Sequence, residues 1–238
     1  MYLLKKILII VSIVFGLGAA LAPAQSMAYN VNKNVEVSDP IEGVNRSIYA
    51  VNRALDGVII KPVTKAYRFV VPKIIRKGIR NVLRNLTEPV TFVNSVLQLD
   101  QENSFTTFWR FTVNTTFGIG GIFDVADVAG LKHRKEDFGQ TAGVYGAGHG
   151  PYIMLPLLGP SNTRDAFGRV VDVFTNPWSY TFNDYALVGH AVVNGVDTRE
   201  DTLELVDEID RVSLDPYATI RSLYTQKRED EIANGEGK

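Results

Sequence analysis

FGQTAGVYGAGHGPYIMLPLLGPSNTRDAFGRVVD, residues Phe138 to Asp172, is the stretch whose reading decides the fold. Gly139, Gly143, Gly146, Gly148 and Gly150 fall within twelve residues. That density predicts a loop that approaches other backbone closely or hinges, and argues against a rigid helix or strand. Tyr152 to Leu158 is apolar throughout but carries Pro156, which suits neither a central strand nor a helix interior. Pro160 and Ser161 then end one element and cap the next. That next element is an amphipathic helix, with Phe167, Val170, Val171 and Phe174 at helical spacing and Arg164, Asp165, Arg169 and Asp172 opposite.

Working outward, Asp39 offers an N-cap, Pro40 a first helical position and Glu42 a capping-box partner. Ile41, Val44, Ile48, Val51, Leu55 and Val58 then share one face. Asn45-Arg46 and Asn52-Arg53 stand one heptad apart, which makes the other stripe polar and cationic. Pro62 and Pro72 predict two helical pieces meeting at a bend. In the second, Ile74, Ile75, Ile79, Val82, Leu83 and Leu86 oppose Lys73, Arg76, Lys77, Arg80 and Arg84, with no acidic residue between Asp56 and Glu88. Such a basic face fits anionic lipid headgroups, or simply a solvated helix surface. Thr87-Glu88-Pro89 predicts a new helix start, and Ser104 a cap for the next helix. The Phe105, Phe108 and Trp109 of that helix read either as core or as an interfacial aromatic stripe.

Thr115 to Leu131 is rich in small and apolar residues. Gly118, Gly120 and Gly121 permit close packing, and Asp124 and Asp127 are spaced to share a helix face. Beyond the opening stretch the chain breaks at Asn176-Pro177-Trp178. A weaker helix follows around Leu187 to Val196, then a helical region carrying Leu203, Val206, Ile209 and Val212 before Asp215-Pro216. The tail from Gln226 is charged and expected to fray. No internal repeat or alternating strand series appears. The expected fold class is all-α.

Composition narrows the function. The 238 residues, 45% hydrophobic, can bury a sizeable core, and a net charge of -1 argues against a nucleic-acid partner. There is no cysteine, which removes disulfides, thiolate nucleophiles and Cys-ligated zinc. Lys5 and Lys6, the apolar run Ile7 to Ala22 and the small-residue sites ending at Ala28 predict a Sec-type signal peptide over 1–28. That run falls short of the ~18 residues that span a bilayer, and no later segment reaches them. The expected order is a signal peptide over 1–28, a flexible lead over 29–38, one helical domain over 39–225 and a charged, disordered tail over 226–238.

The residues give little support for catalysis. His133, His149 and His190 stand in no metal-binding spacing, no G-x-S-x-G elbow is present, and the glycines around His149 lack the Gly-Lys-Ser/Thr of a phosphate loop. His149 with Asp124 or Asp127 remains the one candidate acid/base set, for a periplasmic lipid hydrolase. Asp124 and Asp127 read equally as structural or pore-polar residues. No metal and no cofactor is expected.

Several long segments carry a resemblance. They are DPIEGVNRSIYAVNRALD at Asp39 to Asp56, RFTVNTTFGIGGIFDVA at Arg110 to Ala126, EDFGQT at Glu136 to Thr141 and GPYIMLPLLGPSNTRDAFG at Gly150 to Gly168, with DPYATIRSLY at Asp215 to Tyr224. In these the chain resembles the MlaA/VacJ family of outer-membrane phospholipid transport proteins. The resemblance implies a ring-like helical protein in the periplasmic leaflet of the Gram-negative outer membrane, with an amphipathic channel and no catalytic residues. It implies removal of mislocalised phospholipids from the outer leaflet, delivery to a soluble periplasmic carrier and association with a porin trimer; a soluble porin-docking adaptor is the further alternative. By position, Gly118, Gly120, Gly121, Asp124 and Asp127 fall in a channel-lining helix. Gly139, Gly143, Gly146, Gly148 and Gly150 fall in a gating loop, and Arg76, Lys77, Arg80 and Arg84 meet headgroups. The family's lipobox cysteine is missing, so attachment is expected through the protein surface or a porin.

Overall fold

The computed structural model describes residues 37–233; the expected signal peptide and nearly all of the lead lie outside them. Helix α1 (Glu42–Leu55) runs through a π-helical turn (Asp56–Ile60) into α2 (Lys61–Val70). Pro62 occupies the start of α2, where a missing N–H costs nothing, and Val71-Pro72 breaks the chain before α3 (Lys73–Leu97). The helices α4 (Gln101–Thr116), α5 (Val125–Val128) and α6 (Phe138–Val144) lead to a hairpin of β1 (Tyr152–Leu155) and β2 (Gly159–Asn162). The chain closes with α7 (Thr163–Thr175), α8 (Trp178–Thr181), α9 (Asp184–Asp201), α10 (Leu203–Val212) and α11 (Pro216–Ile232).

The polarity of the fold is reversed. Among the described residues seven hydrophobic side chains are buried, against twenty polar or charged ones. The apolar faces point outward: Ile41, Val44, Val51 and Val58 of the first helical run, Phe69 (91% exposed) of α2, and Ile74 and Ile75 of α3. Phe105, Phe108 and Trp109 are exposed too, which excludes the core reading of that aromatic stripe. Of the stripe Asn45-Arg46 and Asn52-Arg53, the asparagines face inward and grip the hairpin. Asn45 donates to the Tyr152 carbonyl (3.0 Å) and accepts from the Met154 amide (2.9 Å). One heptad on, Asn52 donates to the Leu155 carbonyl (2.9 Å) and accepts from the Leu157 amide (2.8 Å). The two side chains thus serve the edge of β1 as a neighbouring strand would. Under the hairpin sits a small aromatic core of Tyr152, Met154 and Tyr217, with Tyr49 edge-on to Tyr217 at 5.7 Å.

The structure corrects several expectations. The fold is predominantly helical, but the apolar run with Pro156 forms a two-stranded antiparallel hairpin, because Pro156 falls in its turn and Leu157 (φ 64) and Gly159 (φ 78) reverse the chain. The first part of the expected glycine loop is helix α6, capped by Asp137, whose carboxylate accepts from the Gln140 amide (2.9 Å). Gly139 and Gly143 therefore lie on a helix, while Gly146 (φ 85) and Gly150 (φ 64) do turn the chain. The expected helix from Gly118 to Asp127 is absent. Ile119, Gly120 and Gly121 are successively left-handed, so α4 ends at Thr116 and Asp124 becomes the N-cap of the four-residue α5.

Thr87-Glu88-Pro89 starts no helix: α3 runs 25 residues through Pro89, about 37 Å. The Trp178 indole donates to the neighbouring Leu86 carbonyl (2.7 Å), and α4 packs along the same helix. The N-caps also move. Asp39 caps no helix end and instead bonds Asn45 (2.8 Å) and Arg221 (2.7 Å). Asp100, not Ser104, caps α4, and Asn162, not Ser161, caps α7. The tail expected to fray from Gln226 is helical through Ile232, because Arg228 is buried between two carboxylates.

Two of the glycines are used for contact. A Cβ on Gly168 would stand 2.4 Å from the Gly139 amide nitrogen, and one on Gly139 would meet the Asp165 carboxylate at 2.5 Å, so α6 and α7 cross backbone to backbone. Gly168→Ala should therefore cost ~3 kcal/mol or more. Gly189→Ala in α9, where a Cβ meets nothing within 4 Å, should be neutral or stabilise by up to ~1 kcal/mol. Thermal unfolding of the detergent-solubilised protein checks both, and equal midpoints for the two variants would refute the crossing argument.

Candidate functional site: a polar interior behind an apolar surface

The interior is organised by arginines. Arg110 on α4, 2% exposed, donates through Nε to Glu88 of α3 (2.9 Å) and through Nη2 to Asp124 (2.9 Å), and also donates to the Leu131 carbonyl. Asn114 donates to Asp124 (3.0 Å) and accepts from the Ala126 amide (3.0 Å), which ties the glycine turn to α4. Burial works upward on the Asp124 carboxyl, but Arg110 and Asn114 hold it below the ordinary range. His133 Nδ1 lies 3.2 Å from the Glu88 carboxylate.

A second node joins α6, α7 and α11. Arg228 donates to Asp137 (2.8 and 2.9 Å) and to Asp165 (2.8 and 3.0 Å), and the Tyr224 hydroxyl donates to Asp165 (2.6 Å). Burial again pushes Asp137 upward; Arg228 overcomes it and leaves the group at about 2. Arg164, at the start of α7, lies 3.1 Å from Asp165 and joins this node. Close by are two carboxylates at which burial prevails, although Arg134 Nε lies 3.3 Å from Glu136. Burial raises Glu136 to about 7 despite a Gln98 hydrogen bond (3.0 Å), and raises Asp172 to about 6 despite donors from Asn94 (3.0 Å) and the Phe138 amide (3.2 Å).

The four cations singled out in the sequence divide. Arg76 pairs with Glu200 of α9, and Arg80 reaches Asp197 (2.9 Å), Glu200 (2.9 Å) and Asp201 (2.6 Å). Lys61 to Asp207 (2.9 Å) and Arg68 to Glu204 (3.0 Å) extend this zip, so the basic faces of α2 and α3 meet the acidic faces of α9 and α10. Lys77 and Arg84 are exposed and make no ion pair among the described residues. Asp127 is held by Lys132 at the surface (3.0 Å).

His149 Nδ1 lies 2.9 Å from the adjacent Gly150 carbonyl, whereas Asp124 is committed to Arg110; the two are not hydrogen-bonded, so the acid/base set is not assembled. No group of three or more His, Asp or Glu able to hold a metal occurs among the described residues. Arg110, Glu88, Asp137 and Arg228 were not singled out from sequence. Arg110 did carry a signal, as a lone charge between Trp109 and Phe111, and so did Glu88, the first acid after a basic run.

A helical protein with a charged, hydrogen-bonded interior and exposed apolar faces is built for an apolar setting, since such faces in water mark lipid or partner contact. Among the described residues no helix is long and apolar enough to cross a membrane. The profile of the MlaA lipoprotein family matches residues 37–231. The intermembrane phospholipid transport system lipoprotein MlaA of Escherichia coli (strain K12) is 41% identical over 202 residues, covering 83% of this chain and 79% of the relative. The protein of the same name in Haemophilus influenzae is 34% identical over 207 residues, covering 84% and 81%. A solved structure described as the structural basis for maintenance of bacterial outer membrane lipid asymmetry superposes with a TM-score of 0.75 at 38% identity, covering 82% of this chain and 99% of that one. The chain belongs to the MlaA family.

Two outcomes follow from the polar nodes. Arg110→Met leaves Glu88 and Asp124 buried without their cation and should cost ~3 to 5 kcal/mol. Arg46→Met, which removes the exposed pairs to Glu42 and Asp215 and a stacking contact on Tyr217, should cost much less. Denaturant unfolding in detergent checks the order, and similar costs for both would contradict it. For pH, Glu136 holds its proton to about 7 when folded but releases it near 4.5 when unfolded, so the folded state binds more protons in between. Its contribution to stability therefore falls as pH rises through that window, and Glu136→Gln should flatten the slope of midpoint against pH from ~5 to ~8. An unchanged slope would refute this.

Proposed function

We propose that this protein translocates phospholipids without chemical conversion, removing mislocalised ones from the outer leaflet of the Gram-negative outer membrane and passing them to a soluble periplasmic carrier. The reversed polarity carries the reading. A wall apolar outside and polar inside can pass a charged headgroup without burying it unpaired in hydrocarbon, a step that costs several kcal/mol or more. On this reading the protein forms a ring with a central channel on the periplasmic side of the outer membrane, beside a porin trimer, with surface contacts in place of an acyl anchor. The turn of Gly118, Gly120 and Gly121 with Asp124 and Asp127 stands at the channel wall. The Gly146 to Gly150 turn, with Gly139 and Gly143 on the helix before it, forms the gate. Lys77 and Arg84 meet headgroups, while Arg76 and Arg80 hold α9 in place.

Expression in an Escherichia coli strain lacking its own MlaA should restore low outer-leaflet phospholipid, measured by labelling of surface-exposed lipid amines; no decrease would sink the proposal. Lys77→Glu with Arg84→Glu should weaken binding to anionic vesicles by ~2 kcal/mol or more, because each lost cation near the surface is worth ~1 kcal/mol and each added carboxylate is repelled. Arg76→Glu with Arg80→Glu should instead lower the unfolding midpoint. Vesicle affinity indifferent to the first pair would remove the headgroup role from Lys77 and Arg84.

A further inference from the structure

Two hollows lie along α3 and α4 and share the rings of Phe92 and Phe108, whose centroids are 6.1 Å apart. The larger, about 510 Å³, is walled by Val96, Leu99 and Phe105, with Ser104 and Gln101 as its polar members. The smaller, about 330 Å³, is lined by Phe111 and Val93 and reaches Glu88 and Thr107, both 1% exposed. Both volumes fall in the ~300 to 1,000 Å³ range of small-molecule sites.

Glu88 is incompletely used. Its Oε1 accepts from Arg110 and faces His133, but its Oε2 is buried with no hydrogen-bond partner among the described residues. The local charge is also incomplete, because the single guanidinium of Arg110 serves both Glu88 and Asp124. A buried carboxylate oxygen without a donor is costly, and here it belongs to a residue that lines an aromatic hollow. An ammonium group would supply the donor and the charge together, and the faces of Phe92, Phe108 and Phe111 attract a cation. The adjoining hollow is apolar and accepts hydrocarbon.

We propose that the two neighbouring hollows together bind a zwitterionic phospholipid, its ammonium donating to Glu88 Oε2 and one acyl chain lying against Phe92, Val96 and Phe105. This rests on the phospholipid-transport reading and goes beyond it in naming the headgroup class: an amine-bearing lipid over an anionic one that carries only hydroxyls. Glu88 acts here by direct contact with the ligand, and Arg110 positions it.

The test uses the purified full chain in detergent micelles with phosphatidylethanolamine or phosphatidylglycerol bearing a photoactivatable diazirine in one acyl chain. Adducts are mapped by peptide mass spectrometry. With wild type, the ethanolamine lipid should label residues 88–111 in preference to the glycerol lipid. Glu88→Gln should lower ethanolamine labelling there about tenfold and leave glycerol labelling within about twofold. Equal labelling of wild type by both lipids, or equal loss for both in the variant, overturns the proposal. Should Glu88→Gln lose its helical circular dichroism, Val93→Trp, which fills the smaller hollow from its exposed rim, is expected to lower ethanolamine labelling of 88–111 roughly fivefold; unchanged labelling overturns the site. Adducts confined to other segments also overturn it while leaving phospholipid transport standing. Absence of any adduct together with failed complementation removes both.

Discussion

The structure depends on charge-assisted hydrogen bonds made where water is scarce. With twenty buried polar or charged residues against seven buried hydrophobic ones, the described fold cannot be held chiefly by apolar burial. It is held by arginines, each serving two or more carboxylates. Arg110 joins α3, α4 and the glycine turn, and Arg228 joins α6, α7 and α11. Such pairs are strong in low dielectric only if the geometry is complete, because an uncompensated buried charge is heavily penalised. This explains why so many asparagines and glutamines lie in the interior. They supply the remaining donors, as Asn114 does for Asp124 and Asn94 does for Asp172.

Glycine does two jobs in this frame. At Gly139 and Gly168 the missing side chain lets two helix backbones touch, which brings Asp137 and Asp165 within reach of one guanidinium. At Gly120 and Gly121 the residue supplies left-handed backbone and ends α4 early. The early end matters because Asp124, freed from a helix interior, turns back as an N-cap toward Arg110. Inside a continued helix it would point along that helix's own face instead.

Much of the local order was legible. Apolar and polar residues at helical spacing marked most helices, and prolines marked the bend between α2 and α3 and the break before α8. The resemblance located the family, and its segments coincide with the polar nodes, since Arg110, Asp124, Asp137 and Asp165 all lie in or beside them. What could not be read was which side of each helix faces in. Spacing defines a face and leaves its environment open, so Phe105, Phe108 and Trp109 fit core and interface equally. Nor does a basic run announce its partners: Arg76 and Arg80 look like Lys77 and Arg84 until α9 brings its carboxylates across more than a hundred positions.

The sequence by itself determined the helical periodicity, the breaks, the absence of cysteine chemistry and the family. These follow from local sterics and residue inventory, which need no knowledge of distant chain. The tertiary structure decided the inversion of inside and outside, the conversion of an apolar Pro-containing run into a hairpin gripped by Asn45 and Asn52, and the pairing of cations with carboxylates. Each depends on which surfaces meet across long separations. There the cost of an unpartnered polar group overrides local propensity.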